Sequence, residues 1–264
     1  MRRAAWPRVA VVIPAGGRGT RIGGRLPKQF LTIGGEPILV ATVRAFASHP
    51  AVDQVVIAAP AEHLTRTRRV VRQLPPRGAT VTVVEGGAER QDSVWRGLQA
   101  IAEATEIILV HDAVRPFVSR ALIDRVLKAA LEAGAALCAR PIVDTVKRVV
   151  NGHVAETLDR RGLWAVQTPQ GFRAGLLREA HAAARREGVT GTDDAMLVER
   201  LGRPVHVVPG LAGNVKITTP EDLRRARKAA LGSHPRFKPA TRTQPRAPKA
   251  GHPRFKPTTQ PPIQ

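Results

Sequence analysis

Residues Pro14 to Phe30 read PAGGRGTRIGGRLPKQF, with five glycines, the cations Arg18, Arg21, Arg25 and Lys28, and no acid, directly after the apolar run Val9 to Ile13. Small residues at the carboxyl end of a strand let backbone N–H groups approach a ligand closely, and the cations add positive charge, a combination suited to a polyphosphate. Two familiar phosphate loops do not fit. A dinucleotide fingerprint finds Gly17 and Gly19 but Ile22 in the third glycine place, and the second strand candidate ends VVIAAP without an acid. A Walker A loop finds Gly19 and Gly24 at the right spacing, followed by Arg25 and Leu26 instead of Lys and Ser or Thr. Further along, HDAVRPF places Asp112 just past a buried apolar run, at the same sheet edge. A carboxylate beside a phosphate loop is the expected ligand for magnesium, which takes one or two carboxylates plus phosphate oxygens. Neighbouring strand residues point to opposite faces, so His111 reads as structural rather than as a second ligand.

Those residues need a scaffold, and the chain alternates apolar runs with amphipathic stretches. Strand candidates are 9–14, 54–60, 80–85, 107–111, 135–141 and 205–209; helix candidates are 38–48, 61–74, 90–104, 120–133 and 174–187. Alternation on this scale predicts an α/β fold with a mostly parallel central sheet and helices on both faces. Residues 144–170 break the rhythm, alternating charged and apolar residues around Asn151–Gly152, a type I′ hairpin signal. A hairpin thrown out from an α/β body exposes both faces, and a partner subunit is the simplest cover.

The chain of 264 residues carries a net charge of +21. A charge of that size raises a nucleic acid or other polyanion as partner, but the basic residues are spread out and there is no tyrosine to form a stacking platform. Residues 232–264 hold seven of the cations, no acid, eight prolines and a repeated HPRFKP, leaving +14 on residues 1–231. That composition predicts a disordered tail with a capacity for weak polyanion binding. The one cysteine, Cys138, excludes a disulfide within the chain and reads as a packed thiol. No 18-residue apolar stretch is present, and MRRAAWPR runs into a strand with no cleavable apolar region, so a cytoplasmic protein with no membrane span is expected.

The motifs PAGGRGTRIGGRLPKQF, GGAERQDSV, HDAVRPF, DTVK, LDRRGLWAVQTPQGF, GTDDAMLVE and NVKITTPEDL occur in one order from about Val9 to Leu231. In that order they resemble the methylerythritol phosphate cytidylyltransferases of non-mevalonate isoprenoid synthesis. The resemblance implies a Rossmann-like nucleotidyltransferase domain over residues 1–231, a homodimer joined through an arm at about 142–166, and magnesium-dependent reaction of CTP with 2-C-methyl-D-erythritol 4-phosphate. It also implies roles. Arg21 and Lys28 stabilise charge on the α-phosphate and leaving group, while Lys216 and Arg160 hold the attacking phosphate, Arg160 serving the neighbouring subunit's site from the arm. Arg115, Thr145 and Thr192 contact the polyol phosphate, Ala15, Gly16, Gly17, Gly87 and Ser93 form the cytosine and ribose pocket, and Asp112 is the metal ligand.

Plainer roles stand beside several of these. Arg115 could serve only an ion pair, Thr192 could cap the helix that follows it, and Ser93 could be an ordinary helix-start residue. Asp193 and Asp194 read as a first-turn acidic pair favoured by the helix dipole. Three departures stand out: PAGG where the family has PAAG, Ala88 where an acid is often found, and LAGN before Lys216. The first raises a ribitol 5-phosphate cytidylyltransferase as an alternative; a basic polyanion-binding protein on a degenerate transferase fold is another.

Overall fold

The structure, a computed structural model, describes residues 6–17, 26–74 and 78–232. The expectations for Arg18, Arg21, Arg25 and the tail beyond Gly232 lie outside the described residues.

Strand β1 (Val9–Pro14) explains the layering. Val9, Val11 and Ile13 point into one buried cluster, whereas Ala10 and Val12 point into another. A strand buried on both faces must be apolar at both parities, as the VAVVI run is. The chain then forms the short ribbon β2 (Thr32–Ile33) and β3 (Glu36–Pro37), α1 (Ile38–Ala47), β4 (Val52–Ala59), α2 (Leu64–Val71), β5 (Thr80–Glu85), α3 (Arg90–Gln99), β6 (Ile107–Val110), α4 (Arg120–Ala133) and β7 (Ala135–Pro141). It continues through β8 (Val146–Val150), β9 (His153–Leu158), β10 (Trp164–Arg173), α5 (Ala174–Arg186), α6 (Asp194–Arg200), β11 (His206–Pro209) and α7 (Pro220–Gly232).

The seven-stranded sheet has the order β11-β7-β10-β6-β1-β4-β5. All neighbours are parallel except β10, which runs antiparallel to both β6 and β7. Leu39, Val43 and Phe46 of α1 and Leu122, Ile123 and Val126 of α4 cover one face; Val94 and Leu98 of α3, Leu177 of α5 and Leu197 of α6 cover the other. Ser119 caps α4 by accepting from the Leu122 N–H at 3.2 Å, the satisfaction that an N-terminal turn needs.

The predicted bounds of β1, β5, β7 and α4 match the observed ones. The second predicted helix divides into a 3-10 turn, Ala61–His63, and the shorter α2, while α3 stops at Gln99 rather than at residue 104. The larger correction concerns residues 164–170. Their alternation places them on the return of the hairpin, but they begin β10, a central strand. The hairpin itself is β8 and β9, paired from Val146↔Leu158 to Val150↔His153, with Asn151 at φ 49° and Gly152 at φ 80°. Both central residues at positive φ are what a type I′ turn requires, hence Asn-Gly. Among the described residues, no helix is long and apolar enough to cross a membrane.

Candidate active site

A cavity of about 520 Å³ opens at the carboxyl ends of β1, β5 and β6. Its floor is the Pro14–Gly17 turn, held in place because buried Gln29 donates its side-chain amide to the Ala15 carbonyl at 2.8 Å. Lys28 enters beside it; a Cβ on Gly17 would sit 3.4 Å from Lys28 Cε. The opposite wall is the turn Gly87–Arg90 leading into α3. Buried Ser93 sets the shape of that turn, since its hydroxyl accepts from the Gly87 N–H and donates to the Glu89 carbonyl, each at 3.1 Å. Anything larger at Gly87 would force a shift, because a Cβ there would lie 2.1 Å from Asp92 Cβ. Backbone amides at the start of a helix and beside a glycine turn favour an anion.

A second cavity of about 290 Å³ adjoins the first and shares Arg90, Asp112 and Lys216 with it. Arg115, Gln167, Thr168, Gln170 and Thr192 line its remaining wall. Asp112 stands at the junction. Its Oδ2 lies 3.1 Å from both Arg115 Nε and Lys216 Nζ, and its Oδ1 lies 3.5 Å from Arg90 Nε. Burial raises the pKa of this carboxyl, but Lys216, Arg90 and Arg115 together pull it well below the usual carboxylate range. Three cations thus converge on one carboxylate at the junction, and Arg90 also faces the neighbouring acids Asp194 and Asp193.

The supports are buried and specific. Fully buried His111 donates from Nε2 to the Arg115 carbonyl at 3.0 Å, and its Nδ1 accepts from the Thr168 hydroxyl at 3.1 Å. That tautomer is set by the partners: the Arg115 carbonyl can only accept, and Thr168 Oγ1 accepts from the Asp112 N–H. Burial lowers the His111 pKa to about 4, so the imidazole is neutral at pH 7. The structural reading of His111 therefore holds, and it has a purpose: the ring pins the Asp112–Arg115 turn. Arg115 is more than an ion-pair partner, since its Nη1 also donates to the Asn214 carbonyl at 2.9 Å, two residues before Lys216.

The structure brings Ala15, Gly16, Gly17, Lys28, Gly87, Ser93, Asp112 and Lys216 to the first cavity and Arg115 and Thr192 to the second. Thr192 does not cap its helix. Asp193 does, accepting from the Met196 N–H at 2.9 Å while its other oxygen accepts from Gln170 at 2.7 Å. Asp194 does stand in the first turn of α6, and it is also buried between Arg90 and His181. Thr145 and Arg160 line neither cavity; both are exposed at the base of the hairpin, where Arg160 donates to the Val143 carbonyl. Arg90 lines both cavities and is not singled out by sequence, although it sits inside the quoted GGAERQDSV.

The donor set at the junction suits a hard cation. Asp112 offers one carboxylate, and among the described residues no cluster of three or more His, Cys, Asp and Glu side chains could hold a metal. One protein carboxylate completed by phosphate oxygens and water is a magnesium pattern rather than a zinc one.

Residues 9–231 match the family model described as 2-C-methyl-D-erythritol 4-phosphate cytidylyltransferase. The chain is 49% identical over 219 residues to the protein of that name from Symbiobacterium thermophilum, covering 83% of this chain and 91% of the relative. It is 44% identical over 218 residues to the one from Syntrophus aciditrophicus, covering 82% and 93%. The crystal structure of the Thermus thermophilus protein of the same name superposes with a TM-score of 0.71 at 42% identity, covering 85% of this chain and 99% of that one.

Proposed function

The chain belongs to the 2-C-methyl-D-erythritol 4-phosphate cytidylyltransferase family, and from that premise we propose how its residues divide the work of a CTP-dependent nucleotidyltransferase in isoprenoid precursor synthesis. CTP takes the first cavity and methylerythritol phosphate the second. The observation that carries this division is the pair of adjoining cavities with Arg90, Asp112 and Lys216 shared at their junction. An oxygen of the polyol phosphate attacks the α-phosphorus of CTP, the bond from that phosphorus to the α–β bridging oxygen breaks, and pyrophosphate leaves. Such a reaction depends mainly on positioning and charge neutralisation.

Gly16 and Gly17, with the turn at Gly87, let the backbone close on the nucleotide. Lys28 neutralises charge developing on the α-phosphate and leaving group, a role we extend to Arg21. Lys216 and Arg115 orient the attacking phosphate, and Thr192 meets the polyol. Magnesium, held by Asp112, would supply further charge neutralisation on the triphosphate. Asp112 stays ionised through the physiological range because three cations surround it, so it can both hold a cation and steer Lys216.

The arm fits a homodimer. Val149, Val150 and Val154 on the hairpin and Val143 and Trp164 at its base are exposed large apolar side chains, a concentration on one element that fits a protein contact. Pairing would carry Arg160 and Thr145 to the partner's second cavity, completing a site that one protomer leaves unfinished. We place catalysis in residues 1–231, in the cytoplasm, with the basic tail as an accessory.

The comparisons favour neither the ribitol phosphate enzyme nor the degenerate polyanion binder. The PAGG spelling that raised the former has a simple reading: a methyl on Gly16 would meet nothing closer than Ser93 Oγ at 3.6 Å, so glycine and alanine both fit. The test is pyrophosphate release with magnesium and CTP, offering methylerythritol phosphate and ribitol phosphate in parallel. Turnover with the former alone is expected, and turnover with ribitol phosphate alone overturns the reading.

A further inference from the structure

Asp194 lines neither cavity, yet it is the buried end of a chain of contacts that reaches their junction. Its side chain is 1% exposed. Oδ1 accepts from His181 Nε2 at 2.9 Å and Oδ2 accepts from Arg90 Nη1 at 2.7 Å. These partners come from α5 and from the first residue of α3, so one carboxylate ties together three helices. His181 is fully buried and lies nearly parallel to the Trp95 ring, with centroids 6.5 Å apart. Its Nδ1 has no partner. The ring is thus committed to Asp194 through one nitrogen and to packing through its face.

The consequence falls on Arg90. Its guanidinium is anchored at Nη1 by Asp194, while its Nε stands 3.5 Å from Asp112 Oδ1, longer than a good hydrogen bond. Without Asp194 the guanidinium would be free to close on Asp112 Oδ1. With it, Arg90 is held between two carboxylates and presents its remaining N–H groups where the cavities meet.

We propose that Asp194, oriented by His181, is a positioning residue for the transfer reaction: it holds the Arg90 guanidinium at the junction of the two cavities, off full pairing with Asp112, so that Arg90 can meet the reacting phosphates. The inference rests on the cytidylyltransferase reading of the site. Asp194 acts through Arg90 and touches no substrate itself.

The test is a double-mutant cycle on pyrophosphate release, with wild type, Asp194→Asn, Arg90→Met and the double variant, at saturating CTP and methylerythritol phosphate. Asp194→Asn keeps the shape and removes the charge. Its kcat should fall about 10- to 100-fold, the usual size for losing a group that orients an active-site residue, with the KM for CTP little changed. In the Arg90→Met background the same substitution should cost nothing further, because its only route to the chemistry is gone. An equal loss in both backgrounds, or a lowered Tm with kcat unchanged, overturns the inference. If Asp194→Asn does not fold, Arg90→Lys asks the same question, since a lysine keeps the charge but cannot span Asp194 and Asp112 together; unchanged kcat there also overturns it. An inactive wild type overturns the functional reading and this inference with it, whereas an active wild type with an unaffected Asp194→Asn overturns this inference alone.

Discussion

The catalytic body and the arm stand at opposite ends of one physical scale. At the cavity junction each polar group is fixed by specific partners within the chain: Asp112 by three cations, Arg115 by the Asn214 carbonyl, and buried His111 by Thr168 and the Arg115 carbonyl. On the arm, β8 and β9 form a two-stranded sheet of their own, exposed along nearly all of its length. The Arg148–Glu156 pair between them, at 3.2 Å, and the Arg161–Asp159 pair just past β9, at 2.6 Å, are exposed and contribute little. Preorganisation in the body comes from the fold of one chain. Arg160 has an exposed contact with the Val143 carbonyl and no buried partner among the described residues.

The sharpest way to break this comparison is to disable one region in each of two populations. Lys216→Ala removes a cation from the junction, and kcat should fall about 10²- to 10³-fold, by analogy with the loss of one preorganised donor to a developing charge. Arg160→Ala should lower kcat by a smaller factor without changing Tm, since the side chain is exposed. If the arm serves the partner's site, mixed protomers of the two variants contain one site with both residues intact. Activity should reappear on mixing and refolding together, and no recovery would confine Arg160 to its own chain or to no site at all.

Acid should distinguish the body next. Burial holds His111 neutral down to about pH 4, whereas the same side chain in the unfolded protein protonates near 6.5. Between those values the unfolded chain binds more protons, so stability is full above pH 6.5 and declines as pH falls toward 4. The decline amounts to about 3 kcal/mol over the whole window for this one group. His49 is likewise lowered, chiefly by burial, and adds a loss of the same sign. Asp112 acts with the same sign in a lower window: three cations depress its pKa, so its contribution is complete above the ordinary carboxylate range and is lost only in stronger acid. Urea unfolding at pH 7 and pH 4.5 should therefore show a smaller pH difference in His111→Asn than in wild type, with the His49 share remaining. An unchanged difference would mean that His111 is not held neutral by burial.

The two regions also differ in how far the sequence exposes them. The hairpin turn is legible because Asn151–Gly152 is a local signal, answered by local backbone geometry. The strands β1, β5 and β7 are legible because their residue types suit strands whatever lies far away. β10 is not. Its Gln167, Thr168 and Gln170 are polar at buried positions and satisfied by Leu211, His111 and Asp193, far apart in sequence, so the segment looks like solvent-exposed alternation. Arg90 is hidden for the same reason. An arginine opening a helix usually faces water, and nothing near it in sequence announces Asp194, 104 residues away. Phosphate-loop residues such as Lys28 can be read from type and spacing, whereas the groups that aim them need the fold.

The two glycine turns of the first cavity sharpen the comparison within the body itself, with smaller effects. Gly87→Ala forces a methyl to within 2.1 Å of Asp92 Cβ, where the close contacts are with the first turn of α3 rather than with a flexible side-chain end. About 1–3 kcal/mol of stability should be lost through overpacking, and the KM for CTP should rise because the Gly87–Ser93 hydrogen bond shapes the wall. Gly16→Ala places its methyl 3.6 Å from Ser93 Oγ, an ordinary contact. Stability should move by less than about 0.5 kcal/mol and turnover with methylerythritol phosphate should be unchanged. Any change in the preference between methylerythritol phosphate and ribitol phosphate in Gly16→Ala would show that this position reads the polyol rather than merely closing on the nucleotide. A methyl packed against Ser93, a residue of the first cavity only, has no route to the second cavity, which the proposed division assigns to the polyol.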